Sequence, residues 1–293
     1  MIKEYEWPAG KRSAFCFSAD VDAESPYLWQ HRSGLPDTLG AIEARRFGPR
    51  EGFWRLLDML DRVQVTGSFY VPSVVAQLHP EMVQELDARG HEIGLHGHLH
   101  ELVAETPQAE FETALDRSID ILAGITGRRP FGFRSPAWEM TAGMLAALRT
   151  RGLAYDSSLM GHDHPYSIDA ITELPVQWLI DDAIHFKFMG GGADKWQPRS
   201  AAEVGAMWRD EFEAGRRYGQ LFMITVHPWL SGRAGRLAML EDLLGHIKSQ
   251  DDVWHATAAE IAEWHHTSAN AARFSYDSDL ATLATHLPTE NRP

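Results

Sequence analysis

The 293-residue chain reads as a single-domain α/β protein with a parallel sheet, either a (β/α) barrel or a doubly wound sheet. Short apolar runs recur along it, bounded by turn residues, and amphipathic helical patterns fall between many of them. Its 44% apolar content suffices for one large core, and α/β barrels of this length commonly form one domain.

Residues 13–19 form the first expected strand, an apolar run around Phe15-Cys16-Phe17 that leads into Asp20-Val21-Asp22. Residues 23–50 mix Pro, Gly and charge with no steady period and read as irregular. Phe53-Trp54-x-x-Leu57-x-x-Leu60 repeats apolar residues at three and four and predicts a helix. Strands are expected at 66–71 and 92–95, then a helix over Phe111-x-x-x-Leu115-x-x-x-Ile119-x-x-Leu122, then strands at 131–134, 154–157, 171–176 and 184–188. Met189-Gly190-Gly191-Gly192, followed by Pro198, reads as a mobile loop that, with 23–50, shapes the mouth of a site. Residues 221–226 form another strand, Leu237-x-x-Leu240-x-x-Leu243-Leu244 a helix, and 253–256 the last strand. One domain is expected over 1–293, with the barrel at about 13–265 and a C-terminal extension over 266–293.

Lys and Arg total 27 against 41 Asp and Glu, a net charge of −14, which opposes nonspecific binding to nucleic acid or anionic membranes and favours a small-molecule or oligosaccharide partner. The one cysteine, Cys16, lies in an apolar run and cannot form an intramolecular disulfide, so a metal site has to be built from His and carboxylates. The start of the chain lacks a secretory pattern, and no apolar run approaches the roughly 20 residues of a membrane helix; a cytoplasmic location is expected.

His96-Gly97-His98-Leu99-His100 places three imidazoles in five residues at a strand end, a density that points to a metal. A helix beginning at Gly97 would set His96 and His100 one turn apart on one face, and an extended chain would aim all three the same way. The helical case needs a ligand from elsewhere. Asp20 and Asp22 project to one side of an extended chain, so one can bind a metal while the other acts on water; a turn or cap fits the pair equally well until its strand-end position is weighed. Arg134 suits pairing with a carboxylate, although an Arg after a strand is more often in a surface ion pair. His227, delivered from an apolar strand, suits proton transfer or a structural hydrogen bond. Trp138, Trp178, Trp196 and Trp229 could present flat faces to a substrate, two or three of them at most. His162-Asp163-His164-Pro165-Tyr166 reads as a structural or substrate-facing loop rather than a second metal site. Arg236 reads as structural, whereas Arg233 is a candidate for a substrate carboxylate.

Ser-Ala-Asp20-Val-Asp22, His96-Gly-His-Leu-His100, Arg134-Ser-Pro-Ala-Trp138, Tyr155-Asp-Ser-Ser-Leu-Met160, Glu173-Leu-Pro-Val-x-Trp178 and His227-Pro-Trp-x-Ser-Gly-Arg233 occur in the order of the polysaccharide deacetylase family, carbohydrate esterase family four. The chain most resembles the branch of Helicobacter-type peptidoglycan deacetylase-like proteins and cyclic imide hydrolases. The resemblance implies a distorted (β/α) barrel of seven or eight strands carrying a divalent metal, usually zinc (Zn2+). It implies Asp22, His96 and His100 as metal ligands, Asp20 as general base, His227 as general acid and Arg134 as the residue that orients Asp20. With Asp22 as the further ligand, the i, i+4 arrangement of the histidines becomes the better one. His98 takes a position often aromatic in relatives and is expected at the substrate with Trp138, Trp178, Trp229 and Arg233. Asp181 or Asp182 could orient His227. Relatives are often homo-oligomers.

The expected function is metal-dependent hydrolysis of a non-peptide C–N bond, by resemblance N-deacetylation of an acetylated amino sugar. Cytoplasmic hydrolysis of a cyclic imide or small amide uses the same site, and missing leader and acidic charge favour it. A catalytically silent ligand-binding barrel is disfavoured because every expected site residue type is kept. A barrel using His96-x-His98 as paired ligands is disfavoured because that pattern usually belongs to a first strand.

Overall fold

The computed structural model describes residues 5–190, 192, 194, 197–267 and 272–286. Among the described residues ten strands form one sheet: β1 (Ser13–Asp20), β2 (Gly67–Val71), β3 (Glu92–Leu95), β4 (Gly132–Phe133), β5 (Tyr155–Asp156), β6 (Tyr166–Ile168), β7 (Ile171–Glu173), β8 (Leu221–Val226), β9 (Val253–His255) and β10 (Arg273–Phe274). The sheet runs β10-β6-β7-β5-β4-β3-β2-β1-β8, and β9 pairs with the start of β1. From β8 through β1 to β7 every pairing is parallel, which makes a continuous seven-stranded core; β6 then lies antiparallel to β7. The segment after β7 reaches β8 through a bridge between Asp181 and Thr225, so the sheet curls into a barrel that is only partly closed. This is the expected mixed α/β barrel in one domain.

Period-two alternation sorts the strands into two faces. Phe15, Phe17 and Ala19 of β1, Leu95, Phe133, and Phe222, Ile224 and Val226 of β8 point outward into the core shared with the helices. Ala14 and Cys16, with Tyr70, Tyr155 and Met223, fill the interior. Helices Phe53–Val63, Gln108–Thr126 and Ala234–Lys248 cover the outer face where the apolar spacing predicts them. No helix among the described residues is long and apolar enough to cross a membrane.

Three expectations are corrected. The strand expected at 184–188 is a one-turn helix, Ala183–Phe186, because Asp181 Oδ1 accepts a hydrogen bond from Ala183 N at 2.6 Å and starts a turn; a short apolar run fits either state. Residues 23–50 hold helices Ser25–Gln30 and Gly40–Phe47, followed by a wide turn at Gly48–Gly52. A Cβ on Gly52 would stand 2.1 Å from Pro228 O, so its missing side chain lets this segment press directly on the turn after β8. Finally, β10 lies within the expected extension and pairs with β6, neither of which the sequence signalled.

Candidate active site

Four strands deliver the site by one rule. Asp20, His96, Arg134 and His227 each follow an outward, buried apolar residue, namely Ala19, Leu95, Phe133 and Val226, so alternation turns each toward the interior at the C-terminal strand ends. All four are buried. Asp22 follows two residues after Asp20.

His96 Nδ1 donates to Arg134 O at 2.8 Å, so a neutral ring keeps its Nε2 lone pair free, and Nε2 lies 3.5 Å from Asp22 Oδ1. His100 Nε2 lies 3.6 Å from the same oxygen. Asp22 Oδ1 is buried and has no hydrogen-bond partner. These gaps are too long for hydrogen bonds and approach the roughly 3.3 Å that would separate ligands about 2.0–2.1 Å from a tetrahedral zinc. An orphan carboxylate oxygen facing two imidazole nitrogens is a donor set that fits a borderline divalent metal. Without one, burial opposes ionisation of Asp22, but the imidazoles of His100, His227 and His96 outweigh it and hold the carboxyl well below its usual range. Burial pushes His100 down to about 4.

The two histidines do not sit on a helix. Residues 96–100 form an irregular loop with positive φ at Gly97 (+71°) and His100 (+62°), and this backbone sets the rings 5.2 Å apart and nearly perpendicular. Glu101 holds the loop by accepting from His98 N and Leu99 N, each at 2.9 Å. The i, i+4 expectation is therefore corrected, while the pairing of His96 and His100 stands as geometry. Ala23, Ala137 and Trp138 also have positive φ, which concentrates backbone strain around the site.

Arg134 is fully buried. It donates from Nη1 to Asp20 Oδ1 and Ser18 Oγ, each at 2.9 Å, and from Nε to Ser157 O at 3.0 Å. Its plane lies over the Tyr70 ring at 4.1 Å. Asp20 is thereby fixed with Oδ2 3.9 Å from His96 Nε2. Opposite, His227 Nδ1 meets Asp182 Oδ1 at 2.6 Å, and Asp182 Oδ2 accepts from His227 N and Ser231 Oγ. Burial disfavours the imidazolium, but Asp182 and Asp22 prevail and raise His227 to about 10. Its Nε2 faces Asp22 Oδ2 at 3.7 Å. Of the two candidate acids, Asp182 contacts the ring; Asp181 caps the following turn and is pushed up to about 7, chiefly by burial.

The family model for polysaccharide deacetylase matches residues 47–155. The crystal structure of a "putative polysaccharide deacetylase" from Mycobacterium smegmatis is 37% identical, with a TM-score of 0.85 over 90% of this chain and 94% of that one. The chain belongs to the polysaccharide deacetylase family. The peptidoglycan deacetylase of Helicobacter pylori is 26% identical over 283 residues, 86% of this chain and 96% of that protein. The fold is also shared with Puue allantoinase, at TM-score 0.77 and 22% identity over 89% of this chain and 93% of that one. Members of the polysaccharide deacetylase family are hydrolases of amide bonds.

The remaining expected residues divide. Trp138 lies 5.9 Å from Arg134 and stacks on Trp178 at 4.4 Å, and Trp178 is 42% exposed, so the pair forms a wall open to solvent. Trp229 is buried, with the Arg45 guanidinium 5.0 Å from its ring. Arg233 is exposed and stacks on Phe47 at 3.6 Å. His98, expected at the substrate, is instead buried with Nδ1 bonded to Ser73 Oγ at 2.7 Å; the positive φ of Gly97 turns it outward from its two neighbours. His164 stacks on Tyr5 and His162 packs on Tyr166 and Phe274, which makes the second His-rich loop structural. Trp196 and Gly191 lie outside the described residues. Sequence reading missed Arg45 and Lys187, whose charges both act on Asp22; Arg45 lies in the segment read as irregular and Lys187 in the run read as a strand, and neither reading showed which side chain turns inward.

Proposed function

We propose that this chain is a zinc-dependent amide hydrolase that removes an acyl group from an amino nitrogen, in the manner of N-acetylglucosamine and peptidoglycan N-deacetylases. One observation carries it: Asp22 faces His96 and His100 with an orphan oxygen, between a carboxylate fixed by Arg134 and an imidazole backed by Asp182. Likeness to the Helicobacter pylori peptidoglycan deacetylase over 96% of its length supports the substrate class.

Asp22, His96 and His100 would hold the metal. When bound, zinc supplies a Lewis acid for the amide carbonyl and lowers the pKa of water to about 7. Arg134 leaves Asp20 one carboxylate oxygen directed into the site, where it accepts the proton of an attacking water. His227, with Nδ1 engaged by Asp182, offers the Nε2 proton to the departing nitrogen, which otherwise leaves poorly as an anion. Trp138 and Trp178 form one wall beside Arg134, with its Trp178 end open to solvent.

A second reading, hydrolysis of a small cyclic imide, is favoured by closure of the site: Asp20, Asp22 and His96 are 2%, 6% and 1% exposed, which suits a small planar substrate. Acetate release from N-acetylglucosamine oligomers, measured against ring opening of succinimide, separates the two. Asp22→Ala and His100→Ala are expected to lose both zinc, by elemental analysis, and turnover. Asp20→Asn is expected to keep zinc and lose on the order of 10²–10⁴ in kcat. Near-normal turnover in Asp20→Asn, or full zinc in Asp22→Ala, would overturn the assignment.

A further inference from the structure

The unexplained charge at this site is Arg45. It is 7% exposed, its Nη1 has no hydrogen-bond partner, and no carboxylate forms an ion pair with it among the described residues. Its neighbours in the chain behave differently: the half-buried Arg46 and the exposed Arg50 both pair with Glu43. Leaving the buried guanidinium unpaired is costly, because its hydration is lost without a compensating anion. The fold nevertheless holds it there. Its helix, Gly40–Phe47, runs into the wide turn that Gly52 and Gly232 seat backbone-to-backbone against the segment after β8, and the guanidinium rests over Trp229.

Arg45 is close enough to Asp22 and His100 for their charges to interact, and Lys187 in turn acts on Arg45 and Asp22. Trp229, which Arg45 covers and which lies two residues after His227, also lines a cleft of about 510 Å³ with Ala44, Phe186, Phe188, Arg233 and Arg236. Neither Arg233 nor Arg236 pairs with a carboxylate; they stack on Phe47 and Phe186. Charge counting gives the sign of the ligand. Asp20 is matched by Arg134 and Asp182 by His227, and a divalent metal would more than neutralise Asp22. Asp181 and Asp194 both act on Lys187, which leaves Arg45 as the cation without an ion-pair partner among the described residues. In a chain of net charge −14, a buried arginine with no ion-pair partner among the described residues marks a place for an anion.

Resting on the hydrolase reading, we propose that the substrate carries a carboxylate or similar anion beside the scissile amide, and that Arg45 is the residue that binds it. An anion there completes the guanidinium with a charge-assisted, bidentate-capable hydrogen bond and excludes neutral competitors, which leave the cation unpaired.

The test uses zinc-loaded protein, with binding of succinamate and of its neutral analogue succinamide measured by calorimetry and thermal shift. Wild type is expected to bind succinamate roughly tenfold more tightly. Arg45→Met should bring the two within about twofold, and Arg45→Lys should keep part of the preference. Unliganded Arg45→Met should melt no lower than wild type, because a buried unpaired charge is removed; a structural arginine would give a lower Tm. Equal affinities in wild type, a preference that survives in Arg45→Met, or equal protection by acetate alone would overturn the inference. The first and third need no variant. Hydrolysis of neutral amides is assayed in parallel: turnover without anion preference removes the role of Arg45 and leaves the hydrolase, whereas anion preference without turnover of any amide does the reverse.

Discussion

At the scale of residues, the site depends on acids that lie behind it. Glu173 Oε1 accepts from Ser158 N and Leu159 N at 2.9 Å each, and Asp156 Oδ1 accepts from Ser158 Oγ at 2.8 Å. Their other oxygens are buried without further partners and face each other, so a proton has to join them. Burial and the neighbouring Asp156 charge push Glu173 well up, and burial raises Asp156 to about 6. The same loop gives Ser157 O to Arg134, so this shared proton supports the orientation of Asp20. The folded pair keeps protons that the unfolded chain releases near pH 4, so the stability from this pair is complete below that pH and is lost progressively as pH rises, through about 6 where Asp156 ionises and further above it where Glu173 does. Glu173→Gln replaces the shared proton with an N–H donor. Its Tm should match wild type near pH 4 and exceed it by several degrees at pH 7.5; a parallel pair of Tm-against-pH curves would refute this.

At the scale of elements, strands place residues and loops aim them. The inward turn of Asp20, His96, Arg134 and His227 was legible in the sequence because period-two alternation is local and each follows an apolar outward residue. The course of residues 96–100 was not legible, since left-handed residues break any period, and a helix and an extended chain explained the spacing equally well. Gly97→Ala tests this loop. Its φ of +71° is unfavourable for alanine, and the new Cβ would stand 2.5 Å from Glu101 Oε2, which anchors His98 N. Zinc affinity is expected to fall at least about tenfold, with the strand core intact by circular dichroism. Unchanged affinity would mean that the loop is not what positions His100. The turn at 183–186 carries a similar lesson: one hydrogen bond, donated by Ala183 N to the Asp181 carboxylate, starts a turn where a strand was expected.

At the scale of the molecule, the parallel core from β8 to β7 carries every proposed catalytic and metal-binding side chain, whereas β6 and β10 extend the far edge. Arg273 and Phe274 of β10 are exposed and join the sheet only through β6. Removing residues 272–293 should leave kcat/KM within about twofold and lower Tm by a few degrees, through loss of one strand pairing and of the Phe274 contacts to His162 and Tyr166. Loss of activity with a native spectrum would show that the edge communicates with the site.

The sequence by itself determined the α/β class and eight of the ten strands, to within two residues except for the shortened end of β7, and it singled out Asp20, Asp22, His96, His100, Arg134 and His227, which the fold brings together, because alternation, helical spacing and ordered motifs are encoded locally. Only the tertiary structure chose Asp182 over Asp181, turned His98 to Ser73, and buried Arg45 over Trp229 without an ion-pair partner among the described residues. Those outcomes depend on which distant surfaces meet, and on the desolvation and pairing of charges at the contact, quantities that no local pattern of residues contains.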